Sequence, residues 1–310
     1  MSDQGVTDRL GLLLASGAAF GFAFKAILVK LAYPYGVDAV ALLALRMLLS
    51  LPFYVVVGLR PRPDAAPWTR QDAWKVGALG LVGYYGASLF DFQGLQYVSA
   101  GLERLVLFTY PTLTVLLGVV LLGRGWTWRQ ALGLGLTWVG IGAAVAHDMR
   151  AAGTVADTLQ GLGLVLLSAV CYAGYLLGAA PMIARLGSRR FTASVMLVST
   201  AAVLVHHGLT APLGDLLQPA PVWGLALAMA LFSTVLPTFM LSAAIQRIGS
   251  ERAATVGSLG PILTIGLGAL LLGEPLSWVQ GVGAALVLGG VTLASRPSGV
   301  VPAQGSPPLR

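Results

Sequence analysis

Three ionisable side chains, Lys25, Arg46 and Asp91, lie inside long apolar stretches of the sequence. A charge at the centre of a lipid bilayer costs at least about 2.5–3.5 kcal/mol, so such side chains are expected to face protein or water and to have partners. Lys25 and Asp91 fall at similar depth in the first and third stretches, which predicts an ion pair between them. Two functional alternatives stay open: Lys25 holds a substrate carboxylate, or Asp91 carries a proton. Arg46 is interpreted as structural, bridging helices or binding carbonyl groups.

Aromatic side chains form two stripes with the spacing of a helix face. The stripes are Ser16, Phe20 and Phe24 in the first stretch, and Ser168, Tyr172 and the neighbouring Tyr175 in the sixth. Stripes of this kind usually pack against lipid or other helices. Because these two correspond to each other in an internal repeat, we interpret them as walls of a substrate pocket. Further candidates for the same pocket are Tyr84, Phe90, Tyr110, Phe232 and Ser258.

The remaining polar residues do not predict a metal site or a catalytic centre. His206 and His207 have no third ligand nearby in the sequence. A membrane-embedded enzyme, the alternative to a carrier, needs a nucleophile with a base, a metal cluster or paired carboxylates. The single cysteine, Cys171, has no intramembrane histidine near it, and the carboxylates are scattered. Glu103 and Arg104 are expected to form a pair at the outer rim of the fourth stretch, where the alternative role of Glu103 is to attract cationic groups of a substrate. The chain has no GxxxxGK[ST] motif for ATP, and no cofactor is predicted.

Apolar helices must position these residues. The chain is 56% hydrophobic and 10% charged, with a mean hydropathy of +0.81. About 20 apolar residues span a membrane as a helix, and backbone groups in lipid must be satisfied within each segment. Ten stretches meet this length, which predicts an all-α integral membrane protein. They are residues 11–32, 38–58, 73–95, 99–122, 128–146, 159–183, 191–210, 222–245, 251–272 and 278–295.

The formal charge of +7 is interpreted as a signal of topology and not of nucleic-acid binding. With alternate loops on opposite sides, only Lys30, Arg104 and Arg150 of the 19 Lys and Arg residues fall on one side. Lys25 and Arg46 lie inside helices, so the other side holds the remaining fourteen. Cytoplasmic loops carry the excess of Lys and Arg. Both termini are therefore predicted to be cytoplasmic.

The two halves of the chain repeat each other at an offset of 150 residues. Pro111–Gly125 reads PTLTVLLGVVLLGRG, and Pro261–Pro275 reads PILTIGLGALLLGEP. The repeat predicts two five-helix units, residues 1–150 and 151–296, followed by a disordered cytoplasmic tail at 297–310. Since five is odd, the second unit enters the membrane from the opposite side. Such inverted repeats are typical of transporters, which bind substrate near the midplane between the two units.

Pro111 and Pro261 occupy corresponding positions in this repeat. Each is expected to free a carbonyl group four residues earlier and to bend its helix. A packing kink is one interpretation. We favour a hinge in a cavity wall, because both prolines lie next to polar residues.

Small residues at four-residue spacing predict close helix contacts in the fifth and tenth stretches. They are Ala131 and Gly135, and Gly281, Ala285 and Gly289. The contact could lie within the monomer or between two copies, and the monomer is favoured.

Two longer segments resemble the EamA-type carriers of the drug/metabolite transporter superfamily. The segments are GLQYVSAGLERLVLFTYPTLTVLLGVVLLG and LGEPLSWVQGVGAALVLGGVTLAS. Arg46 and the prolines of the fourth and ninth stretches add to the resemblance. The first half departs at Arg124, where an acidic residue is usual, whereas the second half keeps Glu274. The aromatic-rich first half is most similar to the YddG-like amino-acid exporters.

The resemblance implies a carrier of the bacterial inner membrane that exports small metabolites by alternating access. Amino acids, including aromatic ones, are the expected substrates, and the lipid bilayer and the substrate are the expected partners. Nucleic acid is not expected as a partner.

Overall fold

The protein is all-helical over the part of the chain that the structure describes. The computed structural model describes residues 3–60, 67–123, 125, 127–151, 155–257 and 259–294, and no strand occurs among them. The predicted tail at 297–310 and the predicted pocket residue Ser258 lie outside these residues. Six helices among them are long and apolar enough to cross a membrane: Asp8–Tyr35, Ala39–Leu59, Ala100–Leu121, Val155–Leu186, Ser188–Thr210 and Ala220–Gly249. Leu259–Leu272 and Trp278–Ala294 are shorter apolar helices.

The first half contains seven α-helices, of which several are separated by short breaks. They are α1 Asp3–Ala32, α2 Ala39–Leu59, α3 Arg70–Leu79, α4 Ala87–Gly94, α5 Ala100–Leu107, α6 Tyr110–Leu122 and α7 Trp128–Ala151. Side chains start three of these helices by accepting backbone N–H groups: Asp38 for α2, Thr69 for α3 and Ser99 for α5.

The described residues of the second half form six α-helical segments. They are α8 Val155–Leu186, α9 Ser188–Thr210, α10 Ala220–Ala230, α11 Leu236–Gly257, α12 Leu259–Leu267 and α13 Trp278–Ala294. Of these, α11 and α12 are separated only by residue 258, which is outside the described residues. Within α11, Gly249 has φ of 80° and ψ of 162°, so the chain turns there. This residue separates the eighth apolar stretch from the ninth.

Wider π-helical turns replace regular α-helix in three places, at Gly80–Gly86, Leu231–Val235 and Gly268–Leu272. The first joins α3 to α4, and the second joins α10 to α11. A π-helical turn inserts an extra residue and redirects the side chains that follow, and it is frequent at functional sites. The first two turns face the cavity described below.

Helices α7 and α13 pack with their backbones in direct contact. A Cβ atom on Gly133 would lie 2.5 Å from the carbonyl oxygen of Gly290, and one on Gly140 would lie 2.6 Å from that of Gly283. The predicted contact residues Gly135, Gly281 and Gly289 instead have no atom within 4 Å of such a Cβ. The prediction that both helices make close contacts is thus correct, but these glycines do not make them.

An ion pair joins the start of α3 to the end of α8. Arg185 donates hydrogen bonds of 2.7 and 2.9 Å to the two carboxylate oxygens of Asp72. Asp72 also accepts from the backbone N–H of Thr69 as part of a capping box. The Arg185 hydrogen bonds hold the pKa of Asp72 well below its usual range.

Candidate functional site

A cavity of about 130 Å³ lies at the centre of the helix bundle. Helices α1, α2, α4, α5, α6, α8, α11 and α12 and the first two π-helical turns all contribute to its wall. Both halves of the chain therefore line it, at the depth where α2 and α8 are near their middles and where α4 begins. This is the arrangement that a central substrate site needs.

Helix α1 presents one face to the cavity, with three alanines and two large side chains. The residues on this face are Ala15, Ala18, Ala19, Phe22 and Lys25. The prediction that Phe20 and Phe24 line the pocket is wrong. Phe20 is 51% exposed, and Phe24 packs against it with 5.2 Å between ring centroids, on the opposite side of the helix. Successive residues of a helix are rotated by about 100°, so the side chains of Phe20 and Phe22 point to nearly opposite sides of α1. Phe22 therefore reaches the cavity, and Phe20 does not.

Tyrosines from three elements form the aromatic side of the cavity. Tyr84, Tyr110 and Tyr172 line it, as predicted, and Tyr175 lies directly behind them. Ring centroids are 4.9 Å apart for Tyr110 and Tyr172, and 4.9 Å apart for Tyr84 and Tyr175, with edge-to-face geometry. Such contacts fix the rings relative to each other.

A π-helical turn and a glycine place Tyr84 in this cluster. Tyr84 belongs to the turn Gly80–Gly86, and a Cβ atom on neighbouring Gly83 would lie 2.6 Å from Cδ2 of Tyr175. Only a glycine at this position lets Tyr175 pack against the turn. In the second half, Ser233 and Thr234 of the turn Leu231–Val235 line the opposite part of the cavity.

Lys25 forms a buried ionic cluster with two carboxylates. Its Nζ atom lies 2.6 Å from Oδ2 of Asp91 and 3.9 Å from Oε1 of Glu103. The predicted pair of Lys25 and Asp91 is confirmed. Asp91 is 1% exposed and lies behind Lys25, so it does not line the cavity itself.

Glu103 and Arg104 were expected at the rim, and that expectation is wrong. Glu103 is fully buried and Arg104 is 7% exposed. The start of α5 is covered because Glu274 reaches across and accepts hydrogen bonds from the backbone N–H groups of Ala100 and Gly101, at 2.8 and 3.2 Å. The sequence signal was present, since both residues lie within an apolar stretch, as Lys25 and Asp91 do.

Two arginines line the cavity beside Lys25. Arg46 is 4% exposed and donates a hydrogen bond of 3.0 Å to Oγ of Ser88, which joins α2 to α4. The predicted bridging role of Arg46 is therefore correct, but Arg46 also faces the cavity. Arg104 lies against Gly260 of α12, whose Cβ position is 3.5 Å from Nε of the arginine.

The predicted hinge proline Pro111 lies in the first turn of α6 and not in the middle of a continuous helix. Pro261 lies in α12, close to residue 258, which is outside the described residues. Phe108 and Thr109 form a turn between α5 and α6, immediately before Pro111. Both prolines are buried, and neither lines the cavity. The hinge itself stays a prediction. Among the described residues, no group of three His, Cys, Asp or Glu side chains is arranged as a metal site.

Comparison with known proteins gives a consistent family. The EamA-like transporter family matches this chain twice, over residues 9–145 and 159–296. The uncharacterized transporter YcbK of Bacillus subtilis is 33% identical over 267 residues, covering 84% of this chain and 85% of its own. The threonine/homoserine exporter RhtA of Escherichia coli is 29% identical over 239 residues, covering 74% and 73%.

A solved crystal structure has a similar fold. It superposes with a TM-score of 0.66 at 19% sequence identity, covering 92% of this chain and 95% of that chain. At this identity the similarity shows the fold alone. The two matched repeats and the similarity to YcbK show that the chain belongs to the EamA-like transporter family.

Proposed function

We propose that this protein is a secondary transporter that exports amino acids, including aromatic ones, by alternating access. The central cavity carries this proposal. It combines the rings of Phe22, Tyr84, Tyr110 and Tyr172 with cationic side chains of the first half and hydroxyl side chains of both halves. Ligand sites typically combine an apolar wall with a few polar groups that fix orientation. The similarity to an exporter of threonine and homoserine supports amino acids as the substrate class.

The proposal assigns substrate contact to the predicted residues that line the cavity: Lys25, Tyr84, Tyr110 and Tyr172. Phe22 takes the place of Phe20 and Phe24. Asp91 and Tyr175 then act from behind, by holding Lys25 and the tyrosine rings in position.

The architecture that we propose is ten transmembrane helices in two inverted repeats, residues 1–150 and 151–296. The contact of α7 with α13 supports it. Gly133 meets Gly290 and Gly140 meets Gly283, so the two helices run antiparallel. At an offset of 150, Gly133 corresponds to Gly283 and Gly140 to Gly290. Each contact is therefore the repeat-related copy of the other, as expected for a two-fold axis perpendicular to the helices.

Other elements correspond at the same offset. Helix α6 ends at Gly123, and the π-helical turn that follows α12 ends at Gly273. Both glycines have positive φ, of 62° and 68°. Helices α7 and α13 begin at Trp128 and Trp278. The π-helical turns Gly80–Gly86 and Leu231–Val235 also fall at matching positions. From this topology and the charge distribution, we propose that both termini are cytoplasmic. We also propose that the protein is a monomer in the bacterial inner membrane.

Transport by the purified protein in liposomes tests the function. We expect uptake of labelled aromatic amino acids above that of protein-free liposomes, measured with and without a proton gradient. Tyr172→Ala should reduce uptake of aromatic amino acids, because it removes a ring from the cavity wall. Tyr35→Ala is the matched control, since Tyr35 is half exposed in a turn after α1. If no amino acid enters above the protein-free background, the proposed substrate class is wrong.

A further inference from the structure

The charged residues that line the cavity are all cations. They are Lys25, Arg46 and Arg104, and no carboxylate side chain is part of the described wall. The two nearest buried carboxylates, Asp91 and Glu103, lie behind Lys25. The described ionic centre thus contains three cations and two carboxylates. One positive charge therefore has no counter-charge.

Lys25 already has its counter-charge. Its ammonium group lies 2.6 Å from Asp91 and 3.9 Å from Glu103. A substrate carboxylate would have to compete with both of these groups for Lys25. The uncompensated charge is therefore carried by the arginines.

Neither arginine forms an ion pair with a described carboxylate: Asp91 and Glu103 act on the arginines only from beyond ion-pair distance. Arg46 contacts Oγ of Ser88 at 3.0 Å, Sδ of Met47 at 3.7 Å and the ring face of Phe92 at 4.8 Å, all of them neutral groups. Its Nε atom is buried and has no hydrogen-bond partner.

Arg104 is less satisfied still. Its Nε atom is buried without a hydrogen-bond partner. Its neighbour on α12 is Gly260, which offers no side chain. Holding an arginine in a membrane without a partner is costly. A guanidinium group is also the side chain best suited to bind a carboxylate through two parallel hydrogen bonds.

We propose that Arg46 and Arg104 form a subsite for the carboxylate group of the transported molecule. This inference rests on the proposed function, since it names the part of the substrate that the same cavity recognises. The amino group of an amino acid finds only neutral partners in the described wall, such as the hydroxyl groups of Tyr84, Ser233 and Thr234. The carboxylate is therefore required for binding, and the amino group is not.

Binding of four related probes to the wild-type protein in detergent tests this directly. The probes are L-phenylalanine, 3-phenylpropanoate without the amino group, and phenethylamine and L-phenylalaninamide without the carboxylate. Affinity is measured from the concentration dependence of thermal stabilisation. We expect 3-phenylpropanoate to bind within about threefold of L-phenylalanine, and the two probes without a carboxylate at least about tenfold more weakly, the loss typical of a charged hydrogen bond. Equal binding of phenethylamine or L-phenylalaninamide, or no binding of either carboxylate, overturns the subsite.

Variants then assign the subsite to the two arginines. Arg46→Gln and Arg104→Gln should each weaken 3-phenylpropanoate binding about tenfold. Arg46→Lys and Arg104→Lys keep the charge without the planar fork and should fall between Gln and wild type. Arg129→Gln, which removes an exposed charge on α7, is the matched control and should bind as wild type does. If the Gln variants do not fold, the Lys variants carry the test. Unchanged affinity in every folded variant overturns the assignment.

The outcomes also separate this inference from the proposed function. If 3-phenylpropanoate binds and is transported but no amino acid is, the carboxylate subsite stands and the proposal of amino-acid export fails. If amino acids are transported but their amides bind equally well, export stands and the subsite fails.

Discussion

Lys25 joins two buried carboxylates that have no other described cation within ion-pair distance. Asp91 and Glu103 are 1% and 0% exposed, and both approach the same ammonium group. Removal of one member of a buried ion pair leaves an uncompensated charge, which is more damaging than loss of the pair as a whole. The three members should therefore differ in how much each contributes to stability.

A set of variants tests this order. Lys25→Met leaves two carboxylates facing each other and should lower the free energy of unfolding by about 3–5 kcal/mol. Asp91→Asn should be less damaging, because Glu103 remains 3.9 Å from the lysine. The double variant should lose less free energy of unfolding than the two single variants lose together. Unfolding in detergent measures all three, and Lys75→Met, an exposed lysine on α3, is the control. Strictly additive effects would mean that the pair contributes nothing as a pair.

At the scale of single residues, charge was easier to predict than orientation. An apolar stretch makes an ionisable residue conspicuous, so the pairing of Lys25 with Asp91 could be predicted from depth alone. Phe20 could not be distinguished from Phe22 in the same way. Phe20 and Phe22 both lie in α1, whose sequence is apolar on every side. Only the packing of α1 on α11 decides which face of α1 points to the cavity. Arg104 was placed at the rim although it lies in an apolar stretch, because the sequence does not show that Glu274 covers the start of α5.

Among the helices, the seam between α7 and α13 depends on four glycines. Ala at Gly133, Gly140 or Gly283 would place a methyl group within 2.8 Å of a backbone oxygen of the partner helix. The helices would have to separate, and overpacking of this kind costs about 1–3 kcal/mol.

Gly283→Ala and its repeat-related counterpart Gly133→Ala should each be destabilising, and by similar amounts. Gly135→Ala and Gly281→Ala lie on the open faces of the same helices and serve as matched controls. They should be neutral or stabilising by up to about 1 kcal/mol, because Ala is the better helix former. Thermal unfolding measures the four variants. Equal effects at the seam and at the open faces would contradict the contact.

The break before α6 suggests how the cavity could open. Pro111 follows a turn at Phe108–Thr109. A proline cannot donate the backbone hydrogen bond that would continue the helix across this turn. The sequence indicated that Pro111 interrupts its helix. It did not show that the helix restarts next to the proline, because hydrophobic periodicity continues across the break.

If Pro111 and Pro261 act as hinges, Pro111→Ala combined with Pro261→Ala should make both helical regions stiffer. We expect slower transport in liposomes with substrate affinity largely kept, since gating motions often limit turnover. Pro52→Ala is the control, because Pro52 lies inside α2, is exposed and does not line the cavity. A double variant that transports at the wild-type rate would exclude the hinge.

In the whole molecule, the two halves are interleaved and are not separate domains. Helix α1 of the first half packs along α11 of the second, α2 packs on α9, α8 packs on α4, and α7 packs on α13. Each of the three buried apolar clusters contains residues of both halves. The repeat in the sequence therefore predicts a correspondence between elements without predicting independent folding units. The cavity lies where these elements meet, so motion of one half against the other changes its access.

The proposed inverted repeat requires that the two halves cross the membrane in opposite directions, and thiol labelling tests this. In a Cys171→Ala background, Ser2→Cys, Thr154→Cys and Ser306→Cys mark the start, the junction of the halves and the end of the chain. Five spans before the junction and five after it place the junction outside and both termini inside. An impermeant thiol reagent should therefore label Thr154→Cys in intact cells, and label the other two only after the membrane is opened. Since the excess of Lys and Arg follows the cytoplasmic side, the charge distribution leads to the same expectation. Labelling of all three positions from one side would require an even number of spans in each half, and an inverted repeat could not then exist.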